Sequence, residues 1–154
     1  MTILEALASG PSEYVGSGIN HEAEPFAGSH KVQPLLGGIA VLLHYEARLN
    51  SGEVAHAEST LLAPDMNGTL SLWPVMSELP GVLPHRAIAQ SKAAARFSTG
   101  SREDSSSFRE EITISISEDS TLTYAHAWGM PGGEFAERSS CTLRPRCSLT
   151  PRSS

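Results

Sequence analysis

The chain has 154 residues, of which 40% are hydrophobic and only 18% charged, with 13 glycines and 10 prolines. That length suits one domain able to bury about 70% of its unfolded surface without disulfides. The low charge and abundant turn formers exclude a coiled coil, a Glu- and Lys-rich helical bundle and a collagen-like repeat. The formal net charge is -6, but Arg144, Arg146 and Arg152 lie in an acid-free C-terminal stretch, so residues 1–143 carry eight basic and 17 acidic side chains. A body this acidic repels phosphate backbones and anionic membrane surfaces, so neither nucleic acid nor a membrane is an expected partner.

Thr2-Ile3-Leu4-Glu5 has the spacing of a capping box and predicts a short helix over residues 3–9, ended by Gly10-Pro11. Tyr14 to Gly18 reads as a first strand, and Asn20 to Gly28 as a polar turn region. From Ile39 to Leu49 apolar residues alternate strictly, which predicts a strand. Asn50-Ser51-Gly52 is a hairpin turn, and Val54 to Leu62 is the returning strand. Leu70 to Trp73 makes a third strand of this group, confined to its end by Pro74. Residues 77–85 form a loop or strand exit; the alanines of residues 86–98 would suit a helix, but a barrel favours one or two strands there. Phe108 to Ser117, Leu122 to Trp128 and Phe135 to Leu143 alternate in the same way. Residues 144–154 read as a loose basic tail.

A meander of hairpins with a single helix closes most economically as a barrel, because closure removes unpaired edges. The fold expected is therefore all-β: one antiparallel up-and-down barrel of eight to ten strands, lipocalin-like (calycin), over residues 1–143, with a short N-terminal helix. A barrel of that size has room for one small ligand. Cys141 and Cys147 form no CxxC unit and read as reduced thiols. The N-terminus lacks the basic and apolar regions of an export signal, which makes a cytoplasmic location the expectation.

The candidate ligand-binding residues are His44, His56, Glu58, Trp73, Tyr124, His126 and Trp128. His56 and Glu58 are two apart on a strand, so they share a face about 7 Å apart, close enough for the carboxylate to set the imidazole's tautomer or raise its pKa. Leu122, Tyr124, His126 and Trp128 share a face whose aromatic walls and single imidazole suit a ligand cavity. His44 lies on the preceding hairpin strand and Trp73 on the following one. His85 follows two prolines and is placed at a loop or rim; His21 and His30 are placed at the surface. No HxxxH spacing, cysteine pair or G-x-S-x-G elbow is present, so no metal ligand and no catalytic residue is assigned. His44, His56 and His126 can meet only across a barrel interior.

Gly52-Glu53-Val54-Ala55-His56-Ala57-Glu58 resembles the G-x-x-x-H-x-E segment of nitrobindin-like proteins, ten-stranded barrels related in shape to fatty-acid-binding proteins. The stretch from Gly37 to Arg48, the last hairpin from Leu122 to Arg144 and the opening Gly16-x-Gly18 resemble theirs as well. Tyr14-Val15 stands where that family usually has a tryptophan. The resemblance implies a pocket near His56 and haem held in the barrel mouth by a histidine of the last strand. Here no histidine follows His126, and the corresponding place resembles Arg138, which cannot act as a neutral nitrogen ligand. The cofactor is left open. The expected function is the binding of a small hydrophobic or amphipathic molecule inside the barrel. The alternatives are a haem enzyme acting on reactive nitrogen species, or a ligand-free interaction module that pairs as a homodimer.

Overall fold

The structure, a computed structural model, describes residues 1–147. The capping box forms: the Thr2 hydroxyl accepts from the Glu5 amide while the Glu5 carboxylate accepts from the Thr2 amide. It starts helix α1 (Ile3–Ser9), whose Ile3, Leu4 and Leu7 are buried. Ten strands follow: β1 (Glu13–Ile19), β2 (Pro25–Leu35), β3 (Ala40–Leu49), β4 (Val54–Pro64), β5 (Leu70–Met76), β6 (His85–Gln90), β7 (Ala94–Thr99), β8 (Arg109–Ile116), β9 (Leu122–Gly129) and β10 (Ala136–Pro145). Each pairs antiparallel with the next, and β10 returns to β1, so the sheet closes into an up-and-down barrel. This is the expected fold at the upper end of its strand count.

Three elements depart from the sequence reading. The stretch expected to be turn-like from Asn20 to Gly28 is a turn only to Glu24, where the Asn20 carboxamide oxygen accepts from the Glu22 and Glu24 amides. Strand β2 starts at Pro25. Its inward residues Phe26, Gly28, His30 and Val32 alternate with outward ones, but a glycine and a histidine among them hide the apolar period. β5 does not end before Pro74. It continues to Met76, because β6 pairs with it only at Ser71 and Leu72, so the missing Pro74 N–H leaves no β6 acceptor unpaired. Strand pairing also runs past residue 143, where the sequence reading ends the barrel. Arg144 and Pro145 belong to β10, opposite Val15 and Tyr14, and the Arg146 amide donates to Glu13 O. Residues 148–154, the rest of the expected loose tail, lie outside the described residues.

Closure needs glycine at the β1–β10 seam, at Gly18, where a Cβ would lie 2.2 Å from Ser140 O, and most sharply at Gly16. A Cβ on Gly16 in β1 would lie 1.9 Å from Thr142 O and 2.7 Å from Leu143 Cα of β10. Both are backbone atoms, so no rotamer relieves the clash. Gly16→Ala is expected to cost about 1–3 kcal/mol, read as a lower urea midpoint. An unchanged midpoint would show that the β1–β10 seam is not closed as described.

The inward faces set the interior. Leu43, Leu62, Leu72, Phe97, Ile112, Ile114, Leu122 and Leu143 are each no more than 1% exposed and pack into one core with α1. Helix α1 packs on the turn between β2 and β3 and so covers that end. The turn between β3 and β4 lies at the other end, where the interior becomes polar.

Candidate functional site

Period two along β4 sends His56, Glu58, Thr60 and Leu62 to the same face, and the burial of Glu58, Thr60 and Leu62 shows that this face is the interior. On β9 the inward set is Leu122, Tyr124, His126 and Trp128. β8 contributes Glu110, one strand step from Ile112 on the inward face and opposite Trp128 in register. The β6 terminus contributes His85, which is 0% exposed.

These residues form a continuous chain of alternating acids and imidazoles. Glu78 Oε2 accepts from His56 Nδ1 at 2.7 Å, and Glu58 Oε2 accepts from His56 Nε2 at 3.0 Å. The same Glu58 oxygen is 3.6 Å from His126 Nε2. His126 Nδ1 is 3.8 Å from Glu110 Oε2, and Glu110 Oε1 is 2.8 Å from His85 Nε2. His85 Nδ1 donates to Leu83 O at 2.6 Å, which ends the chain. Glu58 Oε1 accepts from the Thr60 hydroxyl at 2.6 Å and from the Tyr124 hydroxyl. His126 Nε2 is buried and has no hydrogen-bond partner.

The electrostatics follow from this arrangement. Burial pulls the His56 imidazole down, but its hydrogen bonds and charge pairing with Glu58 and Glu78 outweigh that and raise it to about 9. Burial pushes Glu58 up, yet the donors His56, Thr60 and Tyr124, with the neighbouring His126, hold it at about 2. Glu110 is also held at about 2 against burial, by His126 and His85. His30 sits against the rings of Tyr45 and Tyr124, at 5.4 and 4.9 Å between centroids, with both nitrogens unpartnered. Burial there lowers it to about 4. Tyr124 is raised, first by burial and then by the Glu58 charge that its hydroxyl meets.

Of the seven candidates, the interior brings together His56, Glu58, Tyr124 and His126; Trp128 follows on the same face of β9, half-buried, with its ring centroid 5.7 Å from that of exposed His21. His44 and Trp73 are not among them. Both sit on outward faces, His44 bonded to the Ser59 hydroxyl at 2.9 Å and lining a shallow external groove of about 360 Å³ with Lys31 and Glu46. Two further placements are corrected. His30, expected at the surface, is 1% exposed, and His85, expected at a loop or rim, is fully buried. Sequence reasoning missed Glu110, Glu78 and His85 as members of the chain. Glu110 carried a usable signal, a carboxylate in step with Ile112 and Ile114 on an otherwise apolar face. Glu78 and His85 carried none, because they flank an irregular connection whose path only the fold decides.

Arg138 holds the place where the resemblance would put a haem-ligating histidine. Its guanidinium donates to Trp128 O at 3.3 Å and Glu134 O at 2.7 Å. These residues do not fit a haem bound through the last strand.

Fold and site thus define a closed ten-stranded antiparallel barrel with a buried acid–imidazole cluster at one end. The chain matches no family model and no curated protein. Among solved structures it is similar to the crystal structure of Rv2717c from M. tuberculosis, with a TM-score of 0.70 and 14% identity over 94% of this chain and 98% of that one. That likeness shows the shared fold. Among the described residues no helix is long and apolar enough to cross a membrane.

Proposed function

We propose that the protein is a ligand-binding barrel that takes one small molecule at the polar end of its interior, against Trp128, with its polar group on Glu58 and His126. The observation that carries this reading is the chain from Glu78 to His85, buried from Glu58 onward. Buried acids and imidazoles contribute less to stability than apolar side chains of the same volume, so a fold that needed only a core would not favour them there. Aromatic walls with a few convergent polar groups are the usual chemistry of small-ligand sites. The length of the ligand is limited by packing. The interior beyond Glu58 is filled by Leu43, Leu62, Leu72, Phe97 and the isoleucines of β8, all nearly unexposed, which favours a short amphipathic ligand over a long acyl chain along the axis.

The test is fluorescence titration of a Trp73→Phe variant, in which Trp128 is the remaining tryptophan. Benzamidine, a small aromatic cation whose head suits a carboxylate, is expected to change Trp128 emission saturably. Glu58→Gln should remove the response. Stoichiometric binding of oleate with no response to benzamidine would reverse this reading in favour of an axial apolar site.

A further inference from the structure

We propose that His56, Glu58 and His126 form the binding site of one divalent transition-metal ion of the zinc class. The proposal rests on the reading of the polar end as a ligand site and names what that site holds. The geometry carries it. One ligand atom from each of the three residues lies within 4.8 Å of the other two. Metal–nitrogen and metal–oxygen bonds of about 2.0–2.1 Å place the corners of a tetrahedron about 3.3–3.4 Å apart. Glu58 Oε2 is 3.0 Å from His56 Nε2 and 3.6 Å from His126 Nε2, so the two edges that meet at the carboxylate bracket that length.

A second observation points the same way. His126 is 6% exposed, and its Nε2 is buried without any hydrogen-bond partner while facing the same carboxylate oxygen that His56 contacts. A structural ion pair accounts for His56 and Glu58 but leaves this nitrogen unused. A metal ion taking the place of the proton between His56 and Glu58 would use all three atoms.

The surroundings match what metal ligands need. Ligating imidazoles usually give their other ring nitrogen to a carboxylate, which fixes ring orientation and raises basicity. His56 Nδ1 already donates to Glu78 Oε2 at 2.7 Å. His126 Nδ1 faces Glu110 Oε2, 3.8 Å away. The second oxygen of Glu58 is held by Thr60 and Tyr124, leaving Oε2 to turn to the ion. Two imidazoles and one carboxylate select zinc and similar first-row ions over magnesium or calcium, which prefer all-oxygen shells. Three protein ligands leave a fourth position open, as in zinc sites that bind a water or a substrate.

The experiment titrates Co²⁺ into the chelator-treated full chain carrying Cys147→Ser, which removes the exposed thiol. One equivalent is expected to bind with the visible absorption of a tetrahedral site, and Zn²⁺ should displace it. His56→Gln and His126→Gln should each abolish that absorption, with circular dichroism confirming the barrel. Glu78→Gln changes a half-exposed carboxylate and should keep the fold while weakening binding about 10–100-fold. Octahedral Co²⁺ spectra, no binding, or equal affinity in the wild type and His126→Gln would overturn the proposal. Absence of metal binding while the metal-free chain keeps its benzamidine response refutes the metal alone; absence of both refutes the ligand site itself.

Discussion

Glu58→Ala is expected to lower the free energy of unfolding by about 3–5 kcal/mol, the range for breaking a buried charge pair from one side. The carboxylate is 1% exposed in its side chain and is the shared acceptor for three neighbours, with a fourth beside it. His56 and the Thr60 and Tyr124 hydroxyls donate to it, and His126 faces it. Truncation strands two hydroxyls and leaves His56 with Glu78 as its one acid partner. Each stranded group carries its own desolvation cost, about 1–3 kcal/mol when neutral. Urea unfolding followed by far-ultraviolet dichroism measures the loss. Glu58→Gln should fall between wild type and alanine, because the amide keeps an acceptor for the hydroxyls but removes the charge. A loss below about 1 kcal/mol for the alanine variant would mean that Glu58 is not the centre of the cluster.

The second large effect is the dependence of stability on pH, with a maximum expected near pH 6.5. The folded His56 sits at about 9 against an ordinary 6.5, so its stabilisation is complete below pH 6.5 and is lost as pH rises through about 9. Glu58 and Glu110 sit at about 2 against an ordinary 4.5, so theirs is complete above pH 4.5 and is lost as pH falls through about 2. His30 works in the acid limb as well. Its neutral form is favoured by burial, and its contribution, present above pH 6.5, is lost as pH falls through about 4. At roughly 1.4 kcal/mol per pH unit each displacement corresponds to about 3 kcal/mol, with His56 and Glu58 sharing one interaction rather than adding two. The check is the urea midpoint from pH 3 to pH 10. His56→Gln should flatten the alkaline limb and weaken the Glu58 part of the acid limb, leaving the part due to Glu110 and His30. A midpoint still rising at pH 9 would contradict the pairing of His56 with Glu58 and Glu78.

Most of the fold was legible because strand alternation is a local property. The sets Val41-Leu43-Tyr45-Ala47 and Leu122-Tyr124-His126-Trp128 can be read from the chain, and so can the capping box at Thr2. β2 escaped because its inward face spends two of four places on Gly28 and His30. Gly28 is there for a tertiary reason: a Cβ would lie 2.4 Å from Cys141 Sγ on β10. The misplacement of His44 has a local remedy. Its face ends in Glu46 and Arg48, while the opposite face stays apolar to Leu49, so the apolar set points inward. Trp73 misled because its bulk outweighed its neighbours, although Leu70, Leu72 and Met76 mark the other face as the buried one.

By itself the sequence determined the helix, most of the strands, the antiparallel meander and the sharing of faces by His56 with Glu58 and by Tyr124 with His126. Those features depend on periods of 3.6 and 2 and on turn residues, all encoded within a few positions. Only the tertiary structure decided that the two faces meet across one interior, that Glu110, His85 and Glu78 join them, and that His126 Nε2 is left facing Glu58 without a partner. These contacts join residues 16 to 68 positions apart through closure and register, which set distances between strands that no local pattern records.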